Sequence, residues 1–246
     1  IIIASQSQED ADRFLSLGAN PDRTCVMGNI KFDIRHDEDT LAKGRAERER
    51  LFGDRPVWVA ASTHEGEEEL LLDVHEQVRA QHDNALLVLI PRHPERFALV
   101  RDLVSRRGFS VVARTEGQPA GDAAVFLGDT MGEVPVFYAA SDVAFVAGSL
   151  VPIGGHNLLE PAALGVPVIT GPHNFNAQDI ADLFVQMGAC LKVESPEELA
   201  VTVGRLLANP DEAARLGHAG LQVLETNRGA LQRLLVLLEP LLGKGA

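Results

Sequence analysis

Several short segments of this chain carry residues whose types and spacing suit them to phosphate and sugar chemistry. In AGSLVPIGGHNLLEPAALGVPVITGP, residues 147–172, Gly154 and Gly155 precede Asn157 and Glu160. Glycines there let a backbone approach a ligand closely, and a carboxylate one helical turn further on can accept both hydroxyls of a ribose. The Asn157–Glu160 spacing also fits a helix cap, although capping explains neither the two glycines nor Pro161. In PRHPER, residues 91–96, Pro91 and Pro94 stiffen a loop that carries Arg92 and His93. A guanidinium so placed grips phosphate oxygens through paired hydrogen bonds. In GDTMGE, residues 128–133, Met131, Gly132 and Glu133 lead into a helix whose free amides suit a phosphate or a pyrimidine edge. Asp129 or Thr130 is the alternative there, as a simple cap.

Two further segments add weaker signals. In AASTHEGEEE, residues 60–69, Ser62 sits at a strand end as a further candidate contact, while Glu67, Glu68 and Glu69 read as solvated charges that complement a helix dipole. Lys31, within GNIKFD at 28–33, is a lone cation with apolar neighbours. His64–Glu65 lacks the spaced partners a metal needs, and Asp37-Glu38-Asp39, formally a DxD pattern, reads as a solvated linker, so no metal site is expected.

These segments need a scaffold that gathers strand ends, and the hydrophobic periodicity supplies one. Strand patterns at 1–4, 24–27, 57–60, 85–90, 109–112, 123–127, 142–146, 166–169 and 189–193 alternate with helical ones. The helices are expected after a Ser7 cap as far as Leu17, then at 40–52, 66–80, 94–107, 132–139, 156–164, 175–187 and 196–208, with two more in 211–242. Such alternation predicts an α/β fold with a Rossmann-like, doubly wound parallel sheet, in which ligands lie beyond the carboxyl ends of the strands. The candidate residues fall at those ends. The charged stretch 29–40 reads as a linker, which divides the chain into 1–36 and 37–246.

Composition narrows the classes. With 246 residues and 46% hydrophobic content the chain can bury a real core, and a net charge of −13 opposes non-specific nucleic-acid binding. Cys25 and Cys190 have neither metal-ligand nor disulfide-framework spacing, which fits a reducing, cytosolic setting. No apolar run is long enough to span a bilayer. The chain opens on Ile1–Ile3 without a methionine, so it is expected to be a piece of a longer protein.

Taken in order, GNIKFD, AASTHEGEE, PRHPER, GDTMGE and YAASDVAFVAGSLVPIGGHNLLEPAALGVPVITGPHNFN resemble the 3-deoxy-D-manno-octulosonic acid (Kdo) transferase family, from the first residues to Asn176 and more loosely beyond. The resemblance implies a GT-B architecture of two facing Rossmann-like domains. Residues 1–36 would end the N-terminal acceptor domain and form the hinge, and 37–246 would be the C-terminal CMP-Kdo-binding domain with its helices. The implied activity is inverting transfer of Kdo from CMP-Kdo to the lipid A precursor, lipid IVA, in lipopolysaccharide core biosynthesis. It would take place at the cytoplasmic face of the bacterial inner membrane, met through a region upstream of this chain, while these residues themselves are expected to be soluble. Pro91, Arg92, Met131, Gly132, Glu133, Asn157, Leu158, Leu159 and Glu160 are implied to hold CMP. Lys31 is implied to stabilise the transition state with Arg92, and Ser62, His93 and Gly155 remain candidate contacts. The general base lies outside the chain, which alone is expected to be inactive. No cofactor or metal is implied, since a nucleoside monophosphate donor has no diphosphate for a metal to bridge, and no nucleic-acid partner is implied. Two alternatives stay open: another GT-B nucleotide-sugar enzyme, such as a UDP-sugar transferase or epimerase, and a non-catalytic nucleotide-binding module.

Overall fold

A computed structural model describes residues 1–35 and 38–242, so His36 and Asp37, and with Asp37 part of the acidic DxD pattern, lie outside the described residues. The chain divides into two units, one formed by 1–35 with 222–246 and the other by 36–221. Residues 222–242 thus group with the first segment, whereas the linker expected at 29–40 assigns them to the second.

The smaller unit opens with β1 (Ile3–Ser5), α1 (Gln8–Ser16) and β2 (Thr24–Val26), the strands pairing in parallel from Ile3↔Thr24 to Ser5↔Val26. Ser7 caps α1 through its hydroxyl, which accepts from the Asp10 N–H. The stretch expected to be a loose linker is ordered at its start. Asn29 accepts from the Lys31 N–H to begin a 3-10 turn over Ile30–Asp33, and Phe32 is buried. The Asp33 carboxylate then takes the Gly229 and Leu231 N–H groups, each at 2.7 Å, at the start of the last helix, Ala230–Leu242. Polarity misled here because Asp33 spends its charge on a helix terminus rather than on water.

The larger unit follows in chain order as α2 (Glu38–Glu47), which winds into a π turn over Arg48–Phe52, β3 (Val57–Thr63), α3 (Glu67–Arg79), β4 (Leu86–Pro91), α4 (Phe97–Arg106), β5 (Val111–Ala113), β6 (Val125–Leu127), α5 (Val134–Ala139), β7 (Val143–Val146), α6 (Leu159–Ala162), β8 (Val168–Thr170), α7 (Gln178–Gln186), β9 (Cys190–Lys192), α8 (Pro196–Ala208) and, as far as residue 221, α9 (Pro210–Asn227). Its seven strands are all parallel, in the order β5-β6-β4-β3-β7-β8-β9. β3 therefore stands where the winding reverses, with β4 on one side and β7 on the other.

Helices cover both faces, which is why the strands read as unbroken apolar runs. Trp58, Ala60, Leu87, Leu89 and Phe145 pack under α3, α4 and α8, while Val57, Val59, Val88, Ile90 and Phe126 pack against Leu51, Phe52, Phe137 and Tyr138. Each such side chain contributes about 1.5–3 kcal/mol by leaving water.

One polar group sits inside that core. The fully buried His75 accepts from Trp58 Nε1 at Nδ1 (3.1 Å), so its Nε2 carries the proton and donates to the Ala124 carbonyl at 2.8 Å. A second proton would have to enter Nδ1 against the indole N–H. Burial pushes this imidazole down to about 3. Unfolded His75, near 6.5, takes up a proton that the folded ring refuses, so stability present above pH 6.5 drains away as the pH falls towards 3. We expect urea-unfolding free energies to decline below pH 6.5 by up to about 1.4 kcal/mol per pH unit from this residue. His75→Gln should flatten the decline, and equal slopes in the two proteins would contradict this account.

Candidate functional site

The carboxyl ends of four neighbouring strands, β6, β4, β3 and β7, lead to every candidate residue of the larger unit, in line with the rule for open α/β sheets. At the end of β3 the pairing with β4 shifts register between Ala61 and Thr63, and Ser62 has φ 65. A non-glycine residue there costs about 1 kcal/mol or more and is held by its surroundings, a pattern common at functional sites. The same bulge carries Thr63 opposite Pro91, and the Thr63 carbonyl accepts from the Arg92 N–H at 3.0 Å. Pro91 is buried, whereas Arg92 and His93 are exposed, and the Arg92 guanidinium makes no ion pair among the described residues.

The loop after β7 is held from beneath by Glu67, a residue whose charge and place in the sequence predict exposure to solvent. Glu67 is fully buried and its carboxylate accepts from the N–H groups of Gly148 (2.8 Å), Leu150 (3.1 Å), Ser149 (3.2 Å) and His64 (3.3 Å). Burial raises the pKa of this carboxyl, and the four N–H groups oppose that rise. Glu68, also fully buried, meets Arg96 at 3.0 Å and Thr63 Oγ1 at 3.1 Å. Only Glu69 faces water. A signal was present: Glu67 and Glu68 stand four residues before Leu71 and Leu72, on the apolar stripe of α3, where a solvated carboxylate has no place.

The glycines of this loop serve the loop itself. The Gly154 and Gly155 N–H groups both donate to the Gly148 carbonyl, and a Cβ on Gly154 would lie 2.5 Å from the Phe175 ring. They admit the segment 173–176 rather than standing open to a ligand, and Asn174 and Asn176 complete that clamp through Gly171 and Ile153 carbonyls. With several of its N–H groups committed elsewhere, the segment 147–158 turns over 147–153 and runs irregularly through 154–157, and the helix expected over 156–164 is reduced to α6. Asn157 thus precedes the helix. Its Oδ1 accepts from the Leu159 N–H at 3.1 Å, and its Nδ2 donates to Glu160 at 3.2 Å, which orients the carboxylate. Leu158 and Leu159 bury their side chains, leaving only backbone for any ligand.

Beyond β5 and β6, Arg114 holds Glu133 in a fork at 2.8 and 3.1 Å, and Thr130 Oγ1 also bonds that carboxylate. The Arg114 hydrogen bond is the main reason the Glu133 pKa falls. Met131 is exposed and Gly132 turns with φ 81. Asp129 caps nothing in α5; it binds Thr115. Lys31 is exposed in the smaller unit.

One cluster escaped the sequence reading. His64 Nε2 and His156 Nε2 lie 2.8 Å apart with ring planes within 2° of parallel, and His93 meets His64 edge-on with centroids 5.5 Å apart. Burial, then His93, Arg92 and Arg96, lowers the pKa of His64; burial, then His64, Arg92 and His93, brings His156 down to about 4. In a chain of net charge −13, Arg92 and Arg96 bring positive charge beside two rings that their lowered pKa values keep neutral. Among the described residues no group of three or more His, Cys, Asp or Glu side chains is arranged to hold a metal ion, and no helix is long and apolar enough to cross a membrane.

Comparison with known proteins follows the same residues. Family models match residues 58–223, as glycosyl transferases group 1, and residues 1–34, as 3-deoxy-D-manno-octulosonic-acid transferase (kdotransferase). The chain is 44% identical over 243 residues to a 3-deoxy-D-manno-octulosonic acid transferase of Haemophilus influenzae, covering 98% of this chain and 57% of that protein. It is 37% identical to its counterpart from Bordetella pertussis, covering 98% and 56%. It therefore spans a little over half the length of these relatives. The crystal structure of the C-terminal CMP-Kdo binding domain of WaaA from Acinetobacter baumannii superposes with TM-score 0.72 at 32% identity, covering 76% of this chain and 99% of that domain. The larger unit is the C-terminal, Rossmann-like half of a GT-B glycosyltransferase fold.

Proposed function

The chain belongs to the 3-deoxy-D-manno-octulosonic acid transferases, and we propose that it is the donor-binding half of an enzyme that moves Kdo from CMP-Kdo onto the lipid A precursor. The observation that carries this reading is the pairing of an unneutralised cation, Arg92, with a helix-borne carboxylate, Glu160, across the reversal point of the sheet. The first suits a phosphate and the second a ribose. Similarity to a solved CMP-Kdo binding domain supports the same donor.

In this reading Glu160, set by Asn157, accepts the ribose hydroxyls, with the Leu158 and Leu159 backbone alongside. Met131, Gly132 and Glu133 contact the cytosine and phosphate, and Arg114 holds the Glu133 carboxylate in place. Pro91 shapes the loop that presents Arg92 to the phosphate. Ser62 and His93 border the donor. Transfer is an inverting displacement at the anomeric carbon: the bond to the CMP oxygen breaks as the acceptor oxygen attacks, and negative charge grows on the departing phosphate. Fixed positive groups lower that barrier, which is the role of Arg92 and of Lys31. The base that takes the acceptor's proton comes from residues outside this chain, as does contact with the inner membrane, at whose cytoplasmic face the complete protein works. Residues 1–36 end the acceptor domain and form its hinge.

Calorimetry on the purified chain tests the donor assignment. We expect CMP to bind and UDP not to displace it, and we expect the chain to transfer no Kdo to lipid IVA. Glu160→Gln should weaken CMP and cytidine alike, roughly ten- to a hundredfold, the scale of charge-assisted hydrogen bonds. UDP displacing CMP would point to a UDP-sugar enzyme, and unchanged affinity in the variant would take Glu160 off the ribose.

A further inference from the structure

The His64–His156 pair has a construction that core packing does not explain. Structural histidines in this protein bond to backbone carbonyls, His75 to Ala124 and His82 to Gly204 at 3.0 Å. His64 and His156 instead bond to one another through Nε2, 92 positions apart in sequence, and neither Nδ1 has a protein partner among the described residues. A 2.8 Å contact between two ring nitrogens requires one N–H donor and one lone pair. The fold is shaped for the pair. Gly148, at φ 71, makes room for it, since a Cβ there would lie 2.9 Å from His156 Cδ2 and 3.4 Å from His64 Cδ2.

The unmatched charge beside the pair is positive. Arg92 and His93 come from the β4 loop. Arg96 comes from the same loop, but its charge is met by Glu68 at 3.0 Å and Glu65 at 3.5 Å. Of the nearby carboxylates, Glu67 is turned into the β7 loop by its four N–H partners, and Glu95 stands 3.9 Å from His93 Nδ1. No carboxylate among the described residues bonds to either ring of the pair. An unpaired guanidinium beside two partly buried imidazoles that carry no carboxylate partner marks a place where an anionic ligand completes the site.

We propose that the His64–His156 pair, with Arg92, receives the phosphate of the donor nucleotide. The inference rests on the donor-site reading above and adds two phosphate-binding residues to it. One ring presents an N–H to a phosphate oxygen while the Nε2 contact fixes its orientation. The phosphate also favours uptake of one further proton by the pair, which can carry a single positive charge without breaking its internal hydrogen bond. As CMP departs, that charge meets the negative charge growing on the phosphate.

The test compares CMP with cytidine, which lacks the phosphate, on the 246-residue chain. In the unaltered chain CMP should bind more tightly than cytidine. His64→Gln and His156→Gln should each lower CMP affinity about tenfold, on the scale of one lost charge-assisted hydrogen bond, and leave cytidine within about twofold. An unchanged CMP-to-cytidine ratio in both variants overturns the proposal and leaves the donor reading standing. A second measurement needs no variant. Nitrogen-resolved NMR of the histidine rings should show His64 and His156 shifting on CMP addition, with their titration midpoints rising. Rings that stay unmoved at saturating CMP also overturn the proposal. If neither CMP nor cytidine binds the unaltered chain, the donor reading falls and takes this inference with it.

Discussion

Replacing Arg92 by alanine in the complete enzyme lowers the rate of Kdo transfer by roughly 30- to 1000-fold, the kinetic equivalent of about 2–4 kcal/mol. The magnitude follows from what the side chain faces. Its guanidinium has no ion-pair partner among the described residues, so its charge is free for a ligand, and its backbone is tied to the bulge of β3 through Thr63. A cation held in advance costs no reorganisation when charge develops on the leaving phosphate, and its loss falls mainly on kcat. Arg92→Lys keeps the charge but loses the two-pronged grip, and should lie between the two. Steady-state kcat and KM for CMP-Kdo measure the effect. A rate within threefold of the unaltered enzyme would remove Arg92 from phosphate stabilisation.

The largest expected effect on stability belongs to Glu67. Its carboxylate is the shared acceptor for four N–H groups, three of them from the loop after β7, and it lies at 0% exposure. Each orphaned buried donor costs about 1–3 kcal/mol, partly recovered where water enters. Glu67→Ala should therefore destabilise the chain by at least about 3 kcal/mol. Glu67→Gln should cost nearly as much, because its amide NH2 must face donors with a donor. All four partners donate, so a proton on the carboxyl would likewise find no acceptor. Urea-unfolding midpoints measure both variants, and a loss under about 1 kcal/mol in each would show that the loop does not depend on this group. The loop carries His156 and Asn157 and leads into the helix that bears Glu160, so CMP affinity should fall in the same variants even where they remain folded.

Much of the fold was legible in the sequence because its signals are local. Each strand of the larger unit was expected within a few residues of where it lies, since runs such as VWVAA at 57–61 and LLVLI at 86–90 are apolar on both faces. Ser7 marked a helix start for an equally local reason. Errors clustered where a residue's partner is remote. Glu67 and Glu68 were read as solvated because their N–H and guanidinium partners lie in other loops, and Gly154 and Gly155 were read as ligand-facing because the segment 173–176 that they admit is distant in sequence.

The ordered motifs by themselves determined the family, the parallel α/β class and the set of strand ends where chemistry gathers, because motif order and period are properties of the linear chain. Tertiary structure alone decided which charges are spent within the protein and which remain for a ligand. Glu133 is held by Arg114, Glu68 by Arg96 and Glu67 by the loop after β7, while Arg92 is left unpaired. It alone also brought His64 to His156 across 92 residues, at the reversal point of the sheet. The physical reason is that burial and pairing set what a charged side chain can do, and both depend on neighbours that only folding supplies.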